Sequence, residues 1–173
     1  MKVYIGYDER EHRAAAVCMK SLLDATRGEI DPEFLSLGAL QSRGLLTRLN
    51  DKRTLREYDL TSNAHYSTRF NIARFLVPIL CQGGMSLFVD CDMVFERDPR
   101  EMLREAPSRL PLSVVKHEHE PTRSVKMMEQ AQNAYPRKNW SSVMLFNCDH
   151  PANRRLSLWD VNNRTRQELH SLY

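Results

Sequence analysis

Short apolar runs that end abruptly at polar residues recur along the chain. Val3–Ile5 and Leu87–Val89 are continuous apolar runs, ended by Gly6 and by Asp90. A run without polar alternation is typical of a strand that is covered on both faces of a sheet. Shorter apolar runs predict further strands at Phe34–Leu37, Leu112–Val115 and Val143–Phe146.

Helical patterns separate these predicted strands. Ala14–Leu23 is rich in helix-forming residues, and Arg69–Leu80 places apolar side chains on one helical face. Pro78 should kink or interrupt the second helix, and Gly83–Gly84 should end it. Helical patterns also begin at Asp98–Pro99 and at Asn153. Strands that alternate with helices indicate one three-layer α/β domain over residues 1–173.

Composition narrows the class of partner. The 173 residues carry a net charge of +3, without a concentrated basic block, which argues against a nucleic-acid-binding protein. This mild charge suits an anionic small substrate and allows contact with a membrane surface. No apolar run is long enough to cross a bilayer, and the first residues turn polar too soon for a signal peptide, so we expect a cytoplasmic protein.

The four cysteines show no metal-binding or redox spacing. No two of them form a Cys-x-x-Cys pair, and a domain of this size does not need disulfides for stability. Buried, reduced thiols are therefore the prediction for the whole set, which comprises Cys18, Cys81, Cys91 and Cys148.

Two carboxylates directly follow the most apolar predicted strand. Asp90 and Asp92 are two residues apart, and alternate side chains of an extended backbone point to the same side. Two such oxygen ligands suit Mg²⁺ or Mn²⁺, which would keep open positions for the oxygens of a diphosphate. Ligands of open α/β sheets also bind beyond the carboxyl ends of strands. The alternative is a pair of ordinary acidic residues at a strand-to-turn junction.

Arg74 is a charged residue within an otherwise apolar helical pattern. A charge in that setting usually has a partner, so we expect Arg74 to pair with Asp90 or with a phosphate. The alternative is an arginine whose charged end reaches the surface. The sequence has neither a Gly-x-Gly-x-x-Gly motif nor a Walker loop, so a metal ion and an arginine would have to balance the charge of a bound nucleotide.

Other candidates rest on weaker patterns. His117 and His119 follow a predicted strand and are candidates for a metal ligand or a base, with two solvated loop histidines as the alternative. Trp140, in a polar loop, could stack on a sugar or pack on the core. The C-terminal arginines are most simply a solvated helix face, and they comprise Arg154, Arg155, Arg164 and Arg166.

Together these motifs resemble a known family. The chain is similar to bacterial GT-A glycosyltransferases of the family-eight type, which includes glycogenin and the lipopolysaccharide galactosyltransferases. The resemblance implies a mixed-sheet, Rossmann-like α/β/α domain. The matching segments occur in the family's order and are Val3–Asp8, Thr68–Pro78, Phe88–Val94 and Tyr135–Cys148.

The resemblance implies a role for each matching residue. Tyr7 and Asp8 would bind the donor, with Asp8 at the position that contacts the nucleotide base or ribose. Arg74 would lie against the donor site. The DxD motif, Asp90 and Asp92, would bind Mn²⁺ (or Mg²⁺) and the donor diphosphate. Ser141 and Ser142 would line the donor and acceptor sugars.

The resemblance also implies an activity. It would be transfer of a sugar from a UDP-sugar to the hydroxyl of a saccharide or lipid-linked acceptor, in bacterial surface-polysaccharide synthesis. Family domains usually continue further and supply a late histidine to the metal. Since this chain ends at Tyr173 without such a motif, we expect a C-terminally incomplete domain with a weakened metal site.

Two alternatives stay open. Strand-Asp-x-Asp also begins the haloacid-dehalogenase-like phosphatases, where Asp90 would be the nucleophile and Asp92 the acid/base. That motif normally lies near the N-terminus, whereas here about half the chain precedes it. The second alternative is a truncated domain that binds a nucleotide without turnover. The sequence identifies no catalytic base or nucleophile and does not give the oligomeric state.

Overall fold

The computed structural model describes residues 1–51, 58–107, 109–115 and 141–173, together with the backbone of residues 125–126 and 130–131. The strands are β1 (Lys2–Tyr7), β2 (Pro32–Ser36), β3 (Asn50–Asp51), β4 (Tyr58–Asp59), β5 (Ala64–His65), β6 (Met85–Val89), β7 (Leu112–Val114), β8 (Val125–Lys126), β9 (Gln130–Ala131) and β10 (Val143–Asn147). Five of them form the main sheet, in the order β2-β1-β6-β10-β7. The short strands β3, β4 and β5 form a second sheet, and β8 and β9 form a two-stranded ribbon.

Most of the helices are short. The α-helices are α1 (His12–Ala25), α2 (Leu37–Ser42), α3 (Val77–Leu80), α4 (Pro151–Arg154), α5 (Leu158–Asn163) and α6 (Arg166–His170). Single 3₁₀ turns or short 3₁₀ helices occupy Glu9–Glu11, Ala73–Leu76 and Pro99–Arg104. Among the helices described, none combines the length and apolar character that crossing a bilayer requires.

The main sheet is mixed, as the family resemblance implied. β1 runs parallel to both β2 and β6, whereas β10 runs antiparallel to β6 and to β7. The central strand β6 is buried from Ser86 to Val89, which confirms the prediction from its unbroken apolar run. Since β10 is antiparallel to β6, its first residues lie beside the last residues of β6.

Each face of the sheet has its own cover. α1 buries Ala15, Cys18 and Leu22, which recur every three or four residues on the helix face toward the sheet. On the opposite face, Phe70 packs on Phe88 with ring centroids 6.2 Å apart. The ring of Phe70 lies so close to β1 that a Cβ at Gly6 would be 2.5 Å from it. Gly6 therefore permits a close approach of ring and strand.

The predicted helix over Arg69–Leu80 is shorter than its apolar pattern suggested. The α-helix covers only Val77–Leu80, after a 3₁₀ helix at Ala73–Leu76. Pro78 lies in the first turn of α3, where its missing N–H leaves no hydrogen bond unmade, so it starts the helix and does not kink it. Gly83 and Gly84 follow with positive φ angles, and the chain turns there into β6.

Two of the four cysteines are not the reduced thiols that the sequence predicted. The structure joins Cys81, directly after α3, to Cys148, directly after β10, in a disulfide. Cys18 and Cys91 are free and buried, as expected. The two paired cysteines are 67 residues apart, and only the folded sheet brings α3 to the end of β10.

The C-terminal segment is fastened to the sheet by buried polar side chains. Asn153 donates from Nδ2 to the carbonyl oxygens of Pro111 (2.6 Å) and Asn147 (2.8 Å), and it accepts a hydrogen bond from the hydroxyl of Tyr173. The helical prediction beyond Asn153 is confirmed as three short helices. Of the predicted solvated arginines, Arg154 and Arg155 are exposed.

Arg48 connects the middle of the chain to these C-terminal helices. Its side chain is buried and pairs with Asp59 through two hydrogen bonds, at 2.6 and 3.2 Å. Its Nη1 also donates to the carbonyl oxygens of Val161 and Arg164, both at 2.7 Å. Arg48 thus satisfies carbonyl groups at the C-terminal end of α5 while its own charge is neutralised.

Arg48→Met should therefore lower the free energy of unfolding by about 3–5 kcal/mol, because Asp59 would remain as a buried charge without its partner. Urea unfolding followed by circular dichroism measures this loss.

The matched control is Arg43→Met. Arg43 pairs with Glu33 at 3.0 Å, but both side chains are substantially exposed. Its loss should cost about 1 kcal/mol or less. Equal effects of the two substitutions would show that the Arg48 network does not hold the C-terminal helices.

Candidate functional site

The predicted site residues meet at one edge of the main sheet. Asp90 directly follows β6, Asp8 directly follows the neighbouring β1, and Ser142 directly precedes β10. Val143 pairs with Val89, so the start of β10 lies beside the end of β6. The carboxyl ends of two parallel strands and the start of an antiparallel one therefore form a common rim.

Ser142 holds Asp90 in place. The backbone N–H of Asp90 donates to the carbonyl oxygen of Ser142 at 2.9 Å. The Ser142 side chain is also close enough to the Asp90 carboxylate to lower its pKa, although burial raises that pKa more. Ser141 and Ser142 thus lie next to Asp90 in the fold, although about fifty residues separate them in the sequence.

Arg74 lies beneath the same rim and is only 4% exposed. It donates from Nη1 to the carbonyl oxygen of Ser141 at 2.6 Å, and its Nη2 lies 3.2 Å from Oδ1 of Asp90. Its guanidinium carbon is 5.7 Å from the ring centre of Phe70 and 5.0 Å from that of Phe88, within cation–π range. The predicted pairing of Arg74 with Asp90 is confirmed.

Asp90 keeps an unused acceptor. Although Arg74 is close enough for charge pairing, Oδ1 of Asp90 is buried and has no hydrogen-bond donor within the described residues. Burial raises the pKa of Asp90 above its ordinary value, Arg74 and Ser142 oppose that rise, and the charges of Asp92 and Glu11 add to it. A buried carboxylate oxygen without a donor, surrounded by further negative charge, is a place where a cation would be stabilised.

Asp92 reaches this region by a different backbone path from the one the sequence suggested. The strand ends at Val89, and Cys91 and Asp92 form a turn, so the alternation of an extended strand does not carry on to Asp92. Its side chain is exposed, and it is near enough to Asp90 to raise the pKa of that carboxyl. The chain has to turn after Val89 because it leaves the sheet there. The two-residue spacing of the aspartates does not show whether the backbone between them is extended or turned.

Two carboxylates fit a divalent cation in part. Their hard oxygens, one of them buried without a donor, match the ligands of Mn²⁺ or Mg²⁺. Within the described ranges, no group of three or more His, Cys, Asp or Glu side chains could complete a protein-only metal site. A cation held by these two carboxylates would keep positions open for the oxygens of water or of a diphosphate.

Glu11 is a neighbour that the sequence reasoning missed. It lies just before α1 and accepts a hydrogen bond from the thiol of Cys91, at 3.1 Å from Oε2. Burial is the larger cause and this hydrogen bond the next, and together they raise the pKa of the Cys91 thiol well above its ordinary value, so the thiol stays protonated. The sequence signal that could have identified Glu11 is its position as an acidic residue shortly after the first strand. Neighbouring parallel strands end at the same edge of a sheet, so residues that follow them lie near one another.

Asp8 is occupied by hydrogen bonds within the chain. It is 1% exposed and accepts from the backbone N–H and Nε of Arg10 (3.1 and 2.9 Å) and from the backbone N–H of Arg69 (3.1 Å). Burial alone would raise the pKa of Asp8, but the hydrogen bonds from Arg10 and Arg69 outweigh it and hold the pKa below its ordinary value. Asp8 thus ties the end of β1 to the loop before Phe70, and its contact with a nucleotide stays a prediction.

Tyr7 opens onto an apolar cavity next to the rim. Its hydroxyl lies 3.0 Å from Nδ1 of His12, and its ring lies 5.2 Å from that of Phe34. The cavity has a volume of about 330 Å³ and runs between α1 and β2, with Ala16, Met19 and Leu23 among its lining residues. Tyr7 belongs to the rim, on the face of the sheet that α1 covers.

Three of the predicted candidates, His117, His119 and Trp140, lie outside the described residues, as do residues 135–140. Their predicted roles stay predictions.

Comparisons with known proteins identify the fold. No profile of an established protein family matches the chain. It is 34% identical over 170 residues to Protein CDI of Arabidopsis thaliana, and the match covers 98% of this chain and 61% of that protein. The chain therefore spans less than two thirds of the length of this curated relative.

Solved structures with a similar fold are glycosyltransferases. The bifunctional glycosyltransferase WbbM superposes with a TM-score of 0.52 at 13% identity, over 96% of this chain and 38% of WbbM. The galactosyltransferase LgtC, solved with donor and acceptor sugar analogs, superposes with a TM-score of 0.50 at 13% identity, over 92% of this chain and 62% of LgtC. At such identities the likeness shows the fold alone, which is the mixed α/β sheet of the GT-A glycosyltransferases.

Asp8→Asn should lower the free energy of unfolding at neutral pH by about 1–3 kcal/mol, because hydrogen bonds to a charged group are lost. Since the folded-state pKa of Asp8 is lowered, the stabilisation is present above its unfolded pKa and is lost as the pH falls through the folded pKa. The deficit of the variant should therefore shrink below about pH 4. Urea unfolding from about pH 3 to pH 7 measures it.

The control is Asp31→Asn, whose side chain is 99% exposed and lies 3.8 Å from Lys2. It should leave the free energy of unfolding nearly unchanged across this range. A deficit of Asp8→Asn that stays constant with pH would contradict the proposed role of the ionised Asp8 carboxylate.

Proposed function

We propose that the chain carries the donor site of a metal-dependent glycosyltransferase. The reaction would move a sugar from a nucleotide-diphosphate donor, UDP-sugar in the first instance, to an acceptor hydroxyl. The observation that carries the proposal is the pair of Arg74 and Asp90 at the carboxyl end of the central strand, beside Asp92. A buried oxygen of Asp90 there has no hydrogen-bond donor in the part of the chain that the structure describes.

Asp90 and Asp92 would hold Mn²⁺ or Mg²⁺ through their carboxylate oxygens. When bound, such a cation acts as a Lewis acid that stabilises charge developing on a leaving diphosphate. Burial and, to a lesser extent, the charges of Asp92 and Glu11 raise the pKa of Asp90, and a cation bound beside it would offset both effects by stabilising the ionised carboxylate.

Arg74 would act on the donor through Asp90. Its side chain is almost fully buried and already donates to Ser141, so its first effect is to fix the orientation of the Asp90 carboxylate and of the loop before β10. Its positive charge beneath the rim also favours an anionic diphosphate above it. Ser141 and Ser142 are partly exposed at the same rim and would line the sugars.

The acceptor and the setting are proposed from the family resemblance. A saccharide or lipid-linked acceptor would fit a chain with the fold of LgtC, which was solved with donor and acceptor sugar analogs. Bacterial surface-polysaccharide synthesis, a cytoplasmic location and peripheral membrane contact belong to the same proposal. Nucleic acid is not an expected partner, since the net charge is only +3.

Isothermal titration calorimetry of UDP into the protein tests the donor site. Binding should require Mn²⁺ or Mg²⁺, fall at least tenfold with chelator, and be lost to a similar extent in Asp92→Asn, because a metal ligand is removed. Asp92 is exposed, so the variant should fold. Asp31→Asn is the matched control, since it removes one distant, exposed carboxylate.

The outcomes separate the rival functions. Metal-dependent UDP binding with hydrolysis or transfer of a donor sugar supports the transferase. UDP binding without either reaction favours a nucleotide-binding domain without turnover. A folded protein that ignores UDP but hydrolyses p-nitrophenyl phosphate, with loss of activity in Asp90→Asn, would favour the phosphatase and overturn the proposal.

A further inference from the structure

The turn that carries Asp92 is held from the α1 side of the sheet. Cys91, between the two aspartates, is 0% exposed and donates to Glu11, just before α1. Asp90 and Cys91 thus meet polar partners from different segments of the chain, Arg74 for Asp90 and Glu11 for Cys91.

Two further contacts come from the same helix. The backbone N–H of Phe95 donates to Oγ of Ser21 at 3.0 Å, and Sγ of Cys18 lies 4.0 Å from the carbonyl oxygen of Asp90. Side chains of α1 and of the residue before it therefore contact this turn at three residues, Asp90, Cys91 and Phe95. These contacts hold the turn against α1.

The position of Asp92 depends on these contacts with α1 and Glu11 more than the position of Asp90 does. Asp90 is oriented by Arg74 and Ser142, whereas the exposed Asp92 has no hydrogen bond or ion pair within the part of the chain that the structure describes. The position of the Asp92 carboxylate therefore depends on the backbone of the turn, and the buried side chain of Cys91 holds that backbone directly beside Asp92. A displacement of about 1 Å in a ligand can weaken a site substantially.

We propose that Glu11 and Cys91 form a positioning pair that sets the Asp90–Asp92 turn for binding a divalent cation. The inference rests on the proposed function, because it assumes that the two aspartates hold the cation. Neither Glu11 nor Cys91 is assigned to the cation itself. The thiol donates to the carboxylate, and the carboxylate in turn is fixed at the start of α1.

The test compares variants that remove the hydrogen bond with variants that keep it. Cys91→Ala and Glu11→Ala remove it, whereas Cys91→Ser and Glu11→Gln retain a donor and an acceptor of similar size. The measurements are Mn²⁺ binding by calorimetry with saturating UDP, UDP binding at saturating Mn²⁺, and urea unfolding of the metal-free protein. Asp24→Asn, at the far end of α1, is the control, because Asp24 pairs only with the exposed Lys20 in the described contacts.

The two alanine variants should bind Mn²⁺ about tenfold or more weakly, which is the usual effect of losing a residue that orients a metal ligand. Cys91→Ser and Glu11→Gln should stay within about threefold of wild type, and UDP affinity at saturating Mn²⁺ should change little. A merely structural pair would instead lower stability and UDP affinity together.

Alanine variants with wild-type Mn²⁺ affinity, or with losses that only follow their loss of stability, would overturn the inference. In either case a wild-type protein that binds Mn²⁺ and UDP leaves the proposed function standing. A folded wild-type protein that binds UDP without Mn²⁺, or binds neither, would overturn the metal site and the positioning pair together.

Discussion

The rest of the site depends on one ion pair, between Arg74 and Asp90. A guanidinium buried under a sheet requires an anionic partner, and Asp90, the residue at which β6 leaves the sheet, supplies one. The same guanidinium donates to Ser141 and lies over Phe70 and Phe88. One side chain thereby fixes the end of the central strand, the start of β10 and the layer that covers them.

In this arrangement the negative charge around Asp90 is only partly compensated. Asp90 has a raised pKa and a buried oxygen with no donor among the described residues, and the charges of Asp92 and Glu11 lie close by as well as the buried Arg74. A carboxylate with a purely structural role would be expected to have hydrogen-bond partners for both oxygens, since buried polar atoms without partners are destabilising. A raised pKa together with a buried oxygen of this kind is typical of positions that bind a ligand. Asp8 shows the contrast, because Arg10 and Arg69 satisfy its carboxylate, which is buried more completely than that of Asp90.

Local pattern was sufficient for the five strands of the main sheet and for the pairing of the acidic motif with Arg74, but it did not predict the short strands β3–β5, β8 and β9. The unbroken run before Asp90 and the charge inside an apolar segment each have a direct physical meaning, and both were confirmed. The Arg48–Asp59 pair and the Cys81–Cys148 disulfide could not be predicted, because each joins segments whose neighbours are set only by tertiary packing. The Glu11–Cys91 contact lies between these cases, since sheet order had to be known before the two strand ends could be placed together.

The most direct measurement is anomalous diffraction at the manganese absorption edge, from crystals grown with UDP and Mn²⁺. The account predicts one peak about 2 Å from carboxylate oxygens of both Asp90 and Asp92, with diphosphate oxygens completing the coordination and Arg74 still paired with Asp90. UDP bound at the rim with no peak between the two aspartates, or a peak held by other residues, would contradict it.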